Sequence, residues 1–288
     1  MQLSDKKNSE RKKVIAVIQV RIGSTRLPRK AIRKIFGKTL VEWIAYRLSF
    51  SREIDGVVLS TANTRENDVL ALHAKEISIP CYRGSESDLI SRLLNTAEKF
   101  NADAIVRVTG DCPLVDPALL DRLVADYRKN STTVDFLSTM HPPTFPDGLD
   151  LEILPMRTLR RLDSEVTDPL YREWLTTTIL ENLSRFNTRH LTHSPNISHM
   201  RFTVDYEEDM RFVAEIFRHL HTDGRVFTLT DILSLVKEKS ELLAINEMRV
   251  DKSPVVKNVK NAAFYALKIE HGRKVWQKKV KQENRTRP

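Results

Sequence analysis

Residues 14–30 read VIAVIQVRIGSTRLPRK, and this stretch decides the fold. Val14–Val20 is mostly apolar, the composition of a strand buried on both faces of a parallel sheet. It empties into a short loop that sets Gly23, Ser24 and Thr25 among Arg21, Arg26, Arg29 and Lys30, with Pro28 near its end. Small residues let backbone N–H groups approach phosphate oxygens, and fixed cations neutralise their charge. The stretch therefore predicts a phosphate-holding loop at the carboxyl end of a first strand.

The flanking sequence continues the pattern. Thr39–Phe50 predicts an amphipathic helix with Leu40, Trp43, Ile44 and Leu48 on one face. Gly56–Ser60 predicts a second strand, and Thr64 the cap of a helix over about 65–75. Ile79–Arg83 is a brief strand, Ser87–Phe100 a helix, and Ala104–Val108 a third buried strand ended by Thr109, Gly110 and Asp111. Pro117 opens a helix running to Lys129. Strands alternating with helices at this spacing imply βαβ units, hence a parallel sheet with helices on both faces. After Asn130 the rhythm changes. Val134–Ser138 predicts a strand, and Leu149–Leu154 alternates apolar and acidic residues as a half-exposed strand does. Pro169–Asn182 predicts a helix, Thr188–Thr192 an edge strand, Arg201–Val204 a short strand and Glu207–Leu220 a helix. Thr228 or Thr230 caps a last helix through Glu238.

Of the net charge of +9, +8 falls in residues 251–288 and +3 in 1–13, which leaves −2 on 14–250. The organisation expected is a flexible basic arm (1–13), one nucleotide-binding domain (14–250) and a basic tail (251–288). A near-neutral body disfavours a nucleic-acid-binding core. The tail mixes Val259, Phe264, Leu267 and Trp276 with lysines. It is read as a solvated tail, with docking on an anionic membrane surface or an acidic partner as the sharper alternative. No apolar run approaches the ~20 residues of a membrane span. Two well-separated cysteines, Cys81 and Cys112, argue against a disulfide framework and for a reducing, cytoplasmic setting.

Three acidic groups end strands or near-strands: Asp111 in TGDCPLVDP, Asp147 with Asp150 and Glu152 in FPDGLDLEI, and Asp205 in RFTVDYEED. In an open α/β sheet the carboxyl ends of strands face the ligand crevice. Asp111 and Asp205 opposite a cationic loop suit Mg²⁺, which uses one or two carboxylates plus substrate phosphates. Singly, Asp111 also reads as a turn residue and Asp205 as part of an acidic helix start. His190, His193 and His199 are read as unrelated to metal, since residues three apart on a strand face opposite sides.

QVRIGSTRLPRK, TGDCPLVDP, TFPDGLDLEI and RFTVDYEED, in this order, resemble the cytidylyltransferase family, in particular its spore coat polysaccharide biosynthesis branch. The resemblance runs from about Lys13 to Ile245. It implies a Rossmann-like three-layer α/β/α nucleotidyltransferase fold with a mixed, mostly parallel sheet. It also implies transfer of CMP from CTP to a sugar, a keto-sugar acid, with release of pyrophosphate, for surface polysaccharide. By resemblance Arg21, Gly23, Ser24, Arg26 and Lys30 bind the triphosphate, with Arg26 and Lys30 stabilising charge on it. Gln19, Thr61, Thr109 and Gly110 lie along the nucleotide. Asp111 and Asp205 are the Mg²⁺ ligands, and Asp147, Asp150, Glu152, Arg172 and Glu173 face the sugar acid. A homodimer is implied in the same way.

The sequence departs from the branch at two places. Trp174 and Thr177 replace a histidine and a proline, which implies a changed acceptor or lost activity. Arg29 stands where many relatives carry glycine. Two rival readings follow: a glycosyltransferase of the related nucleotide-sugar-binding fold, and a catalytically silent binding module.

Overall fold

A computed structural model describes residues 11–250. Residues 1–10 and the basic tail, with the docking role considered for it, lie outside the described residues.

The apolar run forms strand β1, Val14–Gln19, and the loop leads through Lys30–Ile32, a 3-10 turn, into a hairpin of β2 (Lys34–Ile35) and β3 (Lys38–Thr39). Helix α1 spans Leu40–Leu48. Its start is fixed by a capping box, in which the Thr39 hydroxyl accepts from Glu42 N and the Glu42 carboxylate accepts from Thr39 N. Next come β4 (Val57–Ala62), α2 (Asp68–Glu76), β5 (Cys81–Gly84), α3 (Leu89–Lys99), β6 (Ala104–Thr109) and α4 (Pro117–Lys129). The second half holds β7 (Phe136–Ser138), β8 (Leu151–Pro155), α5 (Met156–Glu165), α6 (Pro169–Glu173), α7 (Leu175–Leu180), β9 (Thr188–His190), α8 (Glu207–Leu220), α9 (Leu229–Glu238) and α10 (Glu241–Ala244).

Seven strands make one sheet in the order β5-β4-β1-β6-β8-β7-β9. β5, β4, β1 and β6 are mutually parallel, and β8 alone runs against its neighbours. β1 alternates its side chains between two cores. Val14, Ala16 and Ile18 enter a core covered by α1, α4, α8 and α9, while Ile15 and Val17 enter one covered by α3, α5 and α7. Apolar residues at the five positions from Val14 to Ile18 thus satisfy both faces of a central strand, giving three layers with the sheet in the middle.

Several expectations are corrected. The strand expected at Arg201–Val204 is a single bridge, Asp147 to Arg201. The segment is held instead by Phe202 N and Thr203 N donating to Asp147 O at 2.7 and 2.9 Å. Thr64 heads a 3-10 turn over Arg65–Asn67, without a side-chain cap. The helix expected over Pro169–Asn182 breaks at Trp174, whose φ of −106° and ψ of 53° are not helical. β8 is buried at all five positions, not half-exposed. Its acidic residue is neutralised inside the protein, so the alternation imitates a solvent-facing strand. Helix α5 has no counterpart in the sequence reading, because among its charged residues only Leu159 and Leu162 are buried apolar anchors.

Candidate active site

Counting outward from β1, the chain builds β4 and β5 on one side and β6 on the other, so the order of winding reverses between β1 and β6. Such a switch point opens a crevice at the carboxyl ends of its two strands. Gln19 pairs with Thr109 at those ends. Gly110 N donates to Gln19 O at 2.9 Å. A Cβ on Gly110 would lie 2.6 Å from Cγ2 of Val20. The glycine therefore serves close approach of the two strand ends, which brings Asp111 alongside the basic loop.

Lys30 is the centre of the crevice. Its ammonium donates to Asp111 Oδ2 at 2.8 Å, Asp205 Oδ1 at 2.8 Å and Val204 O at 2.9 Å. Two carboxylates that are 94 residues apart in the sequence thus converge on one cationic centre. Burial opposes charge on Lys30, yet Asp111 and Asp205 raise its pKa above the ordinary lysine value. Burial likewise opposes charge on Asp111, and Lys30 brings it below the usual carboxylate range. Arg26 is 2.7 Å from the same Asp205 oxygen and lies against the Tyr206 ring. The loop between is anchored by buried Leu27, whose N–H donates to the Ser24 hydroxyl at 3.3 Å, while Gly23 is exposed.

Arg201 holds the other side of the crevice. Its guanidinium reaches Asp147 at 2.6 Å, Asp205 at 3.0 Å and Asp209 at 3.0 Å. Asp209 is fully buried and also accepts from the N–H groups of Asp205 and Tyr206 at 2.9 and 3.0 Å. Asn246 donates to Asp209 and to Arg201 O, both at 3.0 Å. Asp205 therefore sits between Lys30 and Arg201, with its geometry set by both. The carboxyl of Asp150 is held well above the usual range by burial and by Asp147, Glu152 and Asp111. Burial and then Asp111 push the Cys112 thiol up, which suits a packing residue and not a nucleophile.

Other expected residues lie elsewhere or are occupied. Arg21 turns from the loop to Glu86 O at 3.0 Å and Glu173 Oε1 at 2.9 Å. Gln19 accepts from Arg107 Nε at 2.5 Å, and Arg107 also pairs with Glu152. Thr176 donates to the second Glu152 oxygen at 2.5 Å, so Glu152, 1% exposed, has both oxygens bonded within the protein. Thr61 is buried and bonds Asn67 at 3.2 Å, and Asn67 in turn accepts from Ile22 N at 2.9 Å. Arg172 is a clamp between helices, reaching Asp88 at 2.7 Å, Val166 O at 2.7 Å and Asp163 O at 3.0 Å. Thr109 bonds Cys112 Sγ at 3.0 Å.

Sequence reasoning missed Arg201, Asp209, Asn67 and Arg107. Arg107 carried a signal, a charge inside the apolar strand AIVRV. Arg201 carried a weaker one, its place four residues before Asp205. Beside the crevice lies a cavity of about 300 Å³ lined by Gln19, Arg92, Arg107, Trp174 and Leu175 among others.

The donor set fits Mg²⁺. Two hard carboxylates already share one cation position, with phosphate oxygens to complete a shell. Among the described residues, no group of three or more His, Cys, Asp or Glu side chains is arranged to hold a metal ion. A cation held by this pair would leave positions open to substrate oxygens, unlike one in a closed protein cage.

This sheet order and crevice define the Rossmann-like nucleotidyltransferase fold. The comparisons with known proteins narrow the class. Residues 15–225 match the model of the cytidylyltransferase family, and the chain belongs to that family. A solved cytidylyltransferase from Leptospira borgpetersenii superposes with a TM-score of 0.77 at 31% identity, covering 84% of this chain and 98% of that one. The spore coat polysaccharide biosynthesis protein SpsF of Bacillus subtilis is 24% identical over 212 residues, 71% of this chain and 86% of its own length. The 3-deoxy-manno-octulosonate cytidylyltransferase of Syntrophotalea carbinolica is 32% identical over 112 residues, 39% of this chain and 44% of its own.

Proposed function

We propose that the chain transfers CMP from CTP to a sugar acid and releases pyrophosphate. The observation that carries this reading is the meeting of Asp111, Asp205 and Lys30 at the switch point, beside the exposed Arg26 loop. An acceptor hydroxyl loses its proton to solvent as its oxygen attacks the α-phosphorus, a new P–O bond forms, and the bond from the α-phosphorus to the bridging oxygen breaks. Negative charge grows on the departing pyrophosphate. Arg26 is positioned to meet that charge, and Lys30 lies within reach of the same oxygens once its carboxylates have another cation. Fixed charge of this kind is the largest lever in phosphoryl and nucleotidyl transfer. Mg²⁺ held by Asp111 and Asp205 would supply further positive charge to the phosphate oxygens. Asp147 and Asp150 border the acceptor side, and Arg201 keeps Asp147 and Asp205 in place.

The name of the spore coat relative supports surface polysaccharide as the setting. Free Cys81 and Cys112 suit a reducing cytoplasm. Among the described residues no helix is long and apolar enough to cross a membrane. A homodimer remains part of the proposal through resemblance alone.

The test is pyrophosphate release from CTP and Mg²⁺ with a panel of sugar acids. Release with at least one is expected. Release with none, together with no heat of CTP binding, would overturn the reading. Asp111→Asn and Asp205→Asn should each cut turnover by at least about a hundredfold, the scale of one transition-state charge contact. Full activity in either variant would refute its assigned role.

A further inference from the structure

The cavity beside the crevice contains a buried cation that nucleotide transfer does not explain. Three guanidinium groups line the cavity: Arg21, Arg92 and Arg107. Two are matched to carboxylates, Arg21 to Glu173 at 2.9 Å and Arg107 to Glu152. Arg92 is not. It is 1% exposed, and its Nη1 donates only to the carbonyl oxygens of Ser85 and Glu86. Its Nε is buried with no partner. Burial, then Arg21 and Arg107, push its pKa down to about 10.

Arg47 provides the contrast. It is equally buried, but its Nε and Nη2 reach carbonyls of Val115 and Phe227 at 2.8 and 2.7 Å, and its face rests on the Phe227 ring. Arg47 is a satisfied core cation. Arg92 is a buried cation with an orphaned donor, a costly arrangement unless a ligand supplies the missing anion. The fold also makes room for it. A Cβ on Gly84 would stand 3.0 Å from Cγ of Arg92, so the glycine lets the arginine stem pass to the cavity.

We propose that this cavity is the acceptor subsite and that Arg92 holds the carboxylate of the acceptor sugar. The inference rests on the reading of the chain as a nucleotidyltransferase and adds to it the residue that demands an acid. The cavity's size is at the small end of ligand pockets, matched to one monosaccharide. Trp174, Met140 and Leu175 also line the cavity and offer apolar surface to the carbon face of a sugar ring. Trp174, where the family pattern has histidine, thus shapes the ring's place, while the charge requirement comes from α3.

The experiment is calorimetry on the full chain with N-acetylneuraminate, 3-deoxy-manno-octulosonate and glucuronate, each as free acid and as methyl ester, with CTP titrated in parallel. At least one acid should bind tenfold or more tightly than its ester. Arg92→Gln should reduce that preference below threefold, and Arg92→Lys should restore part of it, with CTP affinity following neither change. The proposal is overturned if no acid outbinds its ester while CTP binds. It is also overturned if the preference survives in a folded Arg92→Gln variant, or if that variant weakens CTP instead. Should Arg92→Gln fail to fold, the acid–ester ratio of the unaltered chain and of Arg92→Lys decides. Failure of CTP itself to bind counts against the transferase reading, so the two failures are separable.

Discussion

Arg201 carries more of the site than any residue singled out from sequence. It is 9% exposed and touches Asp147, Asp205 and Asp209. Removing one partner of a buried ionic cluster strands the others. Arg201→Met should therefore cost about 3–5 kcal/mol of stability, read from urea unfolding, and Arg201→Lys should recover only part of it. A cost below about 1 kcal/mol would show that the carboxylates find other partners. Arg29 illustrates how far sequence reaches at this scale. The resemblance expects glycine before the lysine, and the backbone supplies the reason: Arg29 has φ 56°, a left-handed conformation in which a Cβ is strained. His190 was legible only as a strand residue. Burial, and then His141, lower its pKa from 6.5 to about 4. A histidine whose folded pKa is depressed favours the neutral form. Its contribution is fully present above pH 6.5 and is lost as pH falls from there through 4. The chain should lose stability between pH 7 and pH 5 from this group, and His190→Gln should flatten that part of the stability profile. An unchanged profile in His190→Gln would count against the assignment.

Among the elements, the first half was legible because its strands are apolar throughout and its helices carry caps and stripes. Asp116 caps α4 by accepting from Ala118 N at 2.7 Å, and Asp88 caps α3 by accepting from Ser91 N at 2.9 Å. The second half was less legible because its elements depend on partners far away in sequence. Glu152 reads as solvent-facing until Arg107 and Thr176 are seen beside it. Arg201–Val204 reads as a strand until its single bridge is seen. The loop that replaces that strand's pairing turns on Gly148. Its φ is 106°, and a Cβ there would lie 2.3 Å from Thr203 N. No flexible side chain can yield at that contact, since the obstacle is backbone. Gly148→Ala should therefore destabilise by about 3 kcal/mol or more and loosen Asp147 from Arg201, so that turnover falls further than stability alone predicts. Wild-type unfolding and turnover in Gly148→Ala would refute this account of the loop.

Across the whole molecule, the α/β class followed from alternating elements, and the basic loop from cations crowded after the first strand. What the sequence could not show was which cations stay with the loop and which turn away. That depends on carboxylates delivered by later elements: Asp205 draws Arg26 and Lys30 inward, and Glu173 draws Arg21 outward. The reversal of β8 has a further consequence. Leu151, its first residue, lies beside Val108 near the end of β6, and Pro155, its last, beside Ala104. A strand running backwards brings its entrance to the crevice, so Asp147 and Asp150 arrive ahead of the strand, in a loop that the first half of the chain does not build. Under the acceptor subsite proposed above, recognition is divided between two blocks of sequence: the demand for an acid lies early, in Arg92, and the shape of the sugar late, around Met140 and Trp174. Grafting those late segments from a relative with another acceptor should shift sugar preference while the KM for CTP stays within about threefold, as expected of separated sites. On that proposal, descendants of such a chain can change their sugar by altering one block, and every sugar they adopt is an acid while the other block is kept.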